Sequence, residues 1–150
     1  MKLALLASGK LRERYAQLGA EEYAKRIARL APFDIVEVPE SRGARPEETG
    51  RRLLARVKDG DRVVLLSDRG RAMKSEDLAK RIGKALNSGR GRLVFVVGGP
   101  YGVGPEFEKR ADELLSLGPM TLPHELARVV LLEQIYRALT ILKGRAYHHG

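Results

Sequence analysis

The stretch from Leu114 to Leu142, LLSLGPMTLPHELARVVLLEQIYRALTIL, joins a short apolar run, a turn-prone segment with two prolines, and a long apolar helix. The turn Leu117–Leu122 places Leu and Met side chains beside backbone polar groups, a composition that suits a flat purine. We interpret this turn as the floor of a ligand slot; a turn that only closes the core is the alternative. We expect the rest of the chain to pack on the helix His124–Leu142.

This helix is apolar on more than one side. One side carries Leu126, Val129, Val130 and Ile141, and another carries Leu131, Leu132, Ile135, Leu139 and Leu142. A helix with this pattern needs cover on both sides, and a sheet in so small a protein covers only one. The pattern predicts a homodimer that supplies the second cover. The alternative is a helix enclosed by the sheet and the neighbouring helices of its own chain.

Strand-like and helix-like segments alternate along the whole chain. Short apolar runs predict strands at Lys2–Ala7, Phe33–Val38, Val63–Leu66, Arg92–Val97 and Leu114–Leu117. Helical spacing and helix-start residues predict helices at Leu11–Leu30, Pro46–Lys58, Ser75–Asn87, Pro105–Glu113 and His124–Leu142. Short, nearly continuous apolar strands are typical of parallel sheets that are buried on both faces. The fold class is therefore α/β: one domain over residues 1–150, with about five parallel strands and helices on both faces.

The composition favours a polyanionic partner. The chain has 28 Lys and Arg against 19 Asp and Glu, a net charge of +9 that is spread over the sequence rather than placed in a tail. A basic globular surface suits RNA, although general solubility explains it as well. There is no cysteine, which fits a reducing cytoplasm and excludes disulfides. No apolar run is long enough for a membrane span, and Lys2–Ala7 is too short for a signal peptide. We therefore expect a cytoplasmic protein.

Three loops follow predicted strands and are candidates for ligand binding: Leu66–Gly70, Gly98–Gly104 and Leu117–Leu122. In open parallel sheets, ligands bind beyond the carboxyl ends of the strands. The sequence GGPYGVG at Gly98–Gly104 precedes a helix and suits a phosphate, but it is neither a dinucleotide fingerprint nor a P-loop. A plain tight turn is an equal interpretation. Three histidines, His124, His148 and His149, have no spacing that suits a metal, so no metal is expected.

Three segments together resemble one known family. FVVGGPYG (residues 95–102), LSLGPMTLPHELARVVLLEQIYRA (residues 115–138) and the terminal YHHG (residues 147–150) are similar to the RlmH family of SPOUT-class methyltransferases. This family methylates N3 of a pseudouridine in helix 69 of bacterial 23S rRNA. The likeness extends over essentially the whole chain, and the second segment is its most specific part.

The resemblance implies a C-terminal trefoil knot, a homodimer and S-adenosylmethionine as the methyl donor. Carried over by residue, the donor pocket is Leu66, Gly98, Leu117, Gly118, Pro119, Met120, Thr121 and Leu122. His124 and Arg128 border this pocket and are candidate catalytic residues. In the family the tail of one subunit reaches the partner's active site, which implies catalytic roles for Tyr147 and His148. Arg69, Arg71 and His149 are candidate RNA contacts.

The chemistry leaves one choice open. The target N3 carries a proton that has to leave, and a histidine can accept it. Either His124 or His148 can take this role. Two other functions remain as alternatives: a non-catalytic protein that binds RNA or the ribosome through its basic surface, and an enzyme that binds a nucleotide phosphate at Gly98–Gly104.

Overall fold

A computed structural model describes residues 2–150. The strands are β1 (Lys2–Ser8), β2 (Phe33–Val38), β3 (Arg62–Ala72), β4 (Arg92–Val97) and β5 (Glu113–Ser116). The helices are α1 (Arg14–Ala28), α2 (Pro46–Leu54), α3 (Ser75–Asn87), α4 (Gly104–Arg110) and α5 (His124–Leu142). The strands form a single parallel sheet in the order β2-β1-β4-β3-β5. The predicted α/β class and the five parallel strands are confirmed.

Helices cover both faces of the sheet, as predicted. Because neighbouring side chains of a strand point to opposite faces, Leu5 and Leu6 of β1 enter two different cores. The larger core lies under α1, α3 and α5 and includes Phe95 and Leu132. The smaller core lies under α2 and α4 and includes Phe107.

Helix α5 has the predicted bounds, but its own chain covers more of it than the dimer argument assumed. It packs between α1 and α3. A Cβ on Gly19 would lie 3.0 Å from Val129, and one on Gly83 would lie 2.8 Å from Leu142, so both neighbouring helices approach closely through a glycine. Enclosure by neighbouring helices, the alternative left open by the sequence, therefore accounts for much of this apolar surface.

Helix α1 begins three residues later than predicted, because a distant side chain binds the amides before it. The Glu125 carboxylate, in the first turn of α5, accepts hydrogen bonds from the amides of Arg12 (2.7 Å) and Glu13 (2.9 Å). These amides are donors that lack partners at a helix start, and an anion there is favourable. The contact also fixes the start of α1 against the start of α5.

Strand β3 is longer than predicted, because the segment SDRGRA (residues 67–72) continues it instead of forming a loop. The pairing with β5 shifts register between Leu66 and Arg71. Gly70 lies in this bulge, where a Cβ would come within 2.6 Å of the Leu114 backbone. Only glycine allows so close an approach of two backbones.

A buried ion pair at the amino-terminal edge of the sheet links Asp61, just before β3, to Arg92, the first residue of β4. The Asp61 side chain is 1 % exposed and accepts hydrogen bonds from Arg92 Nε (2.9 Å), Arg92 Nη2 (2.6 Å) and the Lys58 amide (2.8 Å). Burial opposes the charged form of Asp61, but the bonds from Arg92 and Lys58 outweigh it and hold the pKa of Asp61 below its usual value. The pair therefore stabilises the fold while Asp61 is ionised.

We expect Asp61→Asn to lower the free energy of unfolding at neutral pH by about 3 kcal/mol, because it leaves Arg92 without its counter-charge. A carboxyl whose pKa is lowered by folding contributes stability above its unfolded pKa of about 3.9, and this contribution is lost as the pH falls through the folded pKa. The loss for Asp61→Asn should therefore shrink below about pH 4. Urea unfolding of both proteins, at neutral pH and below about pH 4, measures the difference in the free energy of unfolding. Asp59→Asn, an exposed change in the same turn, is the control, and equal losses in both variants would contradict the prediction.

Candidate functional site

One large cavity lies beyond the carboxyl ends of β3, β4 and β5, where the topology predicts a ligand. Its volume is about 880 Å³, within the range of small-molecule sites. All eight residues predicted for the donor pocket line it: Leu66, Gly98, Leu117, Gly118, Pro119, Met120, Thr121 and Leu122. The structure thus brings together three segments that lie far apart in the sequence: the second half of β3, which was predicted as the loop Leu66–Gly70, and the loops that follow β4 and β5.

The glycines of the second loop have a packing role that does not depend on a ligand. A Cβ on Gly98 would lie 2.5 Å from Val103 Cγ1, and one on Gly99 would lie 2.6 Å from Glu40 Oε1. Val103 belongs to the smaller core. Substitution of Gly98 would therefore disturb the loop itself, and a side chain of the cavity wall is a better position for testing ligand binding.

His124 is the first residue of α5 and lines the cavity. Its Nε2 is buried without a hydrogen-bond partner, and the side chain does not cap the helix. Burial, together with the positive charge of Arg128, lowers the pKa of His124 against the opposing effect of Glu40 and Glu125. The imidazole is therefore neutral at cellular pH, and its Nε2 has no hydrogen-bond partner among the described residues.

Arg128 lies one helical turn after His124, but its guanidinium does not face the cavity. The residue is 2 % exposed. Its Nη1 donates to Glu37 Oε2 (2.6 Å) and its Nη2 donates to the carbonyl oxygens of Ser8 (3.3 Å) and Gly9 (2.9 Å). Arg128 therefore joins α5 to the ends of β1 and β2.

We expect His124 to titrate below the ordinary histidine pKa of about 6.5, since burial and Arg128 both disfavour its charged form. An NMR titration of the ring protons measures this, with His124→Gln identifying the signal. His149, an exposed histidine of the tail, is the internal comparison. A His124 pKa at or above 6.5 would contradict this description of its surroundings.

The predicted tail residues lie away from the cavity of their own chain. Tyr147 packs edge-on against Tyr136, with ring centroids 4.8 Å apart, and its hydroxyl donates to Glu133 Oε2 (2.8 Å). Arg137 lies over the Tyr147 ring and its Nη1 is 3.0 Å from His148 Nδ1. The tail thus has packing partners in its own chain, because α5 presents both an aromatic ring and a carboxylate to it.

This packing also determines the chemistry of the tail. Burial and the bond to Glu133 raise the pKa of Tyr147, so its phenol stays protonated. A guanidinium can only donate, so His148 Nδ1 accepts from Arg137 and the ring proton is on Nε2. That Nε2 lies 3.4 Å from Glu76 Oε1. In this arrangement the Tyr147 hydroxyl donates a hydrogen bond, whereas His148 Nε2 is buried without a hydrogen-bond partner among the described residues.

The three candidate RNA contacts occupy different places. Arg69 lines the cavity and pairs with Glu108 of α4. Arg71 is exposed at the end of β3, outside the cavity wall, and His149 is exposed in the tail. The structure does not bring these three side chains to one surface, and their role stays a prediction.

One residue near the site was missed. The Glu40 carboxylate lies against Gly99 and Gly9, next to the cavity loop, and its charge acts on His124. Glu40 follows β2 by two residues, so it also lies at the carboxyl edge of the sheet. The rule that identified the other three loops would have found it there.

The cavity suits a nucleoside-bearing donor. Leu66, Leu117 and Leu122 supply apolar walls, the backbone of three loops supplies polar groups, and His124 supplies an unpartnered buried nitrogen. Within residues 2–150, no group of three histidine, aspartate or glutamate side chains is placed to hold a metal ion. In the same part of the chain, no helix has the length and apolar character to cross a membrane.

Comparison with known proteins identifies the family of this chain. A family model described as "Predicted SPOUT methyltransferase" matches residues 1–148. Proteins named "Ribosomal RNA large subunit methyltransferase H" are similar over 99% of this chain and 99% of their own length. The one from Lactococcus lactis subsp. cremoris (strain SK11) is 42% identical over 158 residues, and the one from Geobacter sp. (strain M21) is 45% identical over 153 residues. The predicted resemblance is thus confirmed, and the chain belongs to the SPOUT methyltransferase family.

Proposed function

We propose that this protein is an S-adenosylmethionine-dependent methyltransferase that modifies the RNA of the large ribosomal subunit. The observation that carries the proposal is the near-complete match, 42% identical, to relatives named as large-subunit rRNA methyltransferases. The cavity beyond β3, β4 and β5 supports it, because every residue of the expected donor pocket lines that cavity. The net charge of +9 suits an RNA substrate.

S-adenosylmethionine supplies an electrophilic methyl group when it is bound. The residues of this chain hold and orient the reactants, and correct positioning alone can remove much of a reaction barrier, roughly 7–11 kcal/mol in favourable cases. Leu66, Leu117 and Leu122 would enclose the flat base of the donor. The Gly98–Gly104 backbone would bind its polar edges.

The proposed target atom is N3 of a pseudouridine in helix 69 of 23S rRNA, following the family resemblance. Its proton has to be accepted, and we assign this role to His124. His124 lines the cavity and is neutral at cellular pH. His148 already accepts from Arg137 at Nδ1 and carries its proton on Nε2, so it is suited to donating a hydrogen bond to the substrate. Arg128 would position His124 and the Ser8–Gly9 loop.

We further propose a homodimer that joins the amino-terminal halves of α1 and α5. Tyr15 and Leu18 of α1 are each 51% exposed. They lie near the point where Gly19 of α1 contacts Val129 of α5. The next residue of α5, Val130, is half-buried. Exposed apolar residues on α1 beside half-buried valines of α5 suit a second copy of the chain. The family resemblance implies that, in the dimer, Tyr147 and His148 of one subunit reach the partner's cavity.

The test is methyl incorporation into ribosomal RNA from a bacterial strain that lacks the modification, followed by mapping of the modified nucleotide. We expect one methyl group on a pseudouridine of helix 69 when both protein and S-adenosylmethionine are present. Free large subunits and assembled ribosomes are compared as substrates. Uridine-containing RNA from a strain without the pseudouridine synthase tests whether the pseudouridine is required.

The two alternative functions predict different results in the same material. A non-catalytic RNA-binding protein would bind ribosomes but would neither bind the donor in calorimetry nor transfer a methyl group. An enzyme acting on nucleotide phosphates would bind a nucleoside triphosphate in place of S-adenosylmethionine. Either result would overturn the proposed methyltransferase activity.

A further inference from the structure

Two large apolar side chains project from the rim of the cavity into solvent. Tyr101 is 77% exposed and Met120 is 84% exposed, although both belong to loops that line the cavity. They are the two most exposed large hydrophobic side chains among residues 2–150. Single exposed apolar residues are common, but here two of them flank the entrance of one site.

The loop that carries Tyr101 is fixed at its base. The Gly102 amide donates to the Gly99 carbonyl (3.1 Å), which closes a tight turn with Gly102 at a φ of +94°. Gly98 packs against Val103, and Gly99 packs against Glu40 and Thr49. The turn therefore fixes the backbone from which the tyrosine ring projects, so that little backbone entropy is lost when the ring binds a partner.

The charges at the rim do not favour phosphate binding there. Arg69 is paired with Glu108, and Asp68 and Glu40 lie near the same loops. The rim thus offers an aromatic face and a thioether, which are suited to the face of an unstacked nucleobase rather than to the RNA backbone.

We propose that Tyr101 stacks on an unpaired nucleobase of the RNA substrate at the mouth of the cavity, with Met120 packing from the opposite loop. This inference rests on the proposed function, since it presumes an RNA whose target base enters the cavity. Tyr101 then orients the RNA loop without taking part in the proton transfer. Tyr101 thus contributes to RNA affinity through the face of its ring and not through charge.

The chain contains no tryptophan, so Tyr101→Trp creates a single fluorescent reporter at this position. We expect an RNA hairpin with an unpaired uridine-rich loop to quench this fluorescence, because a stacked base is in direct contact with the indole. The fully paired duplex of the same stem should not quench it. Ile35→Trp, on the edge strand β2 and outside the cavity wall, is the matched control for general adsorption of RNA and should respond to neither probe.

Affinity supplies a second measurement. Removing a stacking ring by Tyr101→Ala should weaken hairpin binding by roughly 5- to 150-fold, while Tyr101→Phe should bind like the natural chain. Donor binding by calorimetry and the oligomeric state by ultracentrifugation should be the same in all three proteins. If the natural chain methylates rRNA and Tyr101→Ala binds and methylates RNA equally well, the stacking role is refuted and the proposed function stands.

Other outcomes also decide the question. Fluorescence of the Tyr101→Trp protein that changes on protein dilution but not with RNA would place the ring against a second copy of the chain and overturn the inference. A loss of donor affinity in Tyr101→Ala would place the ring against the donor and overturn it as well. A natural chain that neither binds nor methylates RNA would remove both the inference and the proposed function.

Discussion

Leu122→Arg is expected to abolish binding of S-adenosylmethionine and, with it, methyl transfer. Leu122 is half-buried in the loop that closes one side of the cavity, so an arginine there brings both extra volume and a positive charge to the donor site. The donor carries a sulfonium, and placing like charges together costs several kcal/mol. We expect the dissociation constant to rise by more than about 100-fold in calorimetry.

The control is Ile35→Arg, which introduces the same side chain on the edge strand β2, outside the cavity wall. Both variants are first compared with the natural chain by circular dichroism and thermal unfolding. A folded Leu122→Arg protein with the natural donor affinity would show that the donor binds elsewhere. A loss of affinity in Ile35→Arg as well would point to general destabilisation instead of a blocked site.

The order and type of the elements were predictable because each has a local signal. Helix α5 begins at the residue after Pro123 and ends near Gly144, and both bounds were predicted. The continuation of β3 through Ser67–Ala72 was not, since this polar segment pairs with β5 only through a bulge at Gly70. The start of α1 depends on Glu125, more than a hundred residues away. Contacts of this kind leave no local pattern.

Family membership implies one further feature that local rules exclude. SPOUT methyltransferases contain a trefoil knot in their C-terminal part, whereas reasoning from general topology rejects knots as essentially absent. The five-stranded parallel sheet is compatible with many unknotted connections. Only the resemblance of the whole chain to its family predicted the knot.

For the site, the topological rule was more informative than the residue types. Three segments at the carboxyl ends of parallel strands were predicted to meet, and they form one cavity, although Leu66–Gly70 belongs to β3 and not to a loop. The orientation of Arg128 was missed, although Arg128 precedes Leu131 by three residues and Leu132 by four, which places it on the buried side of α5. Helical spacing therefore contained the signal that this arginine binds within the protein.

Deletion of Tyr147–Gly150 is expected to reduce methyl transfer by about 10²–10³-fold, the range for loss of a hydrogen-bond donor that is positioned at the reacting group. Tyr147 and His148 contact Glu133, Arg137 and Glu76 at the outer surface of the helical layer. None of the deleted residues lines the donor cavity or belongs to either core. Unfolding temperature, dimerisation and donor affinity should therefore stay close to those of the natural chain, and only methyl transfer should fall.

A mixture of two defective chains tests whether the site is shared between subunits. The truncated chain keeps its cavity but lacks the tail, whereas the Leu122→Arg chain keeps its tail but lacks a working cavity. A heterodimer of the two has one complete site, formed by the cavity of the truncated chain and the tail of the other. We expect this heterodimer, purified through two different affinity tags, to recover at most half the natural activity, since its second site lacks both parts. Each homodimer alone should stay inactive. Recovery requires the tail to act in the partner's cavity, because neither chain has both parts within itself. An inactive heterodimer in which the truncated chain still binds the donor would mean that each chain uses its own tail, and full activity of the truncated homodimer would exclude the tail from the reaction.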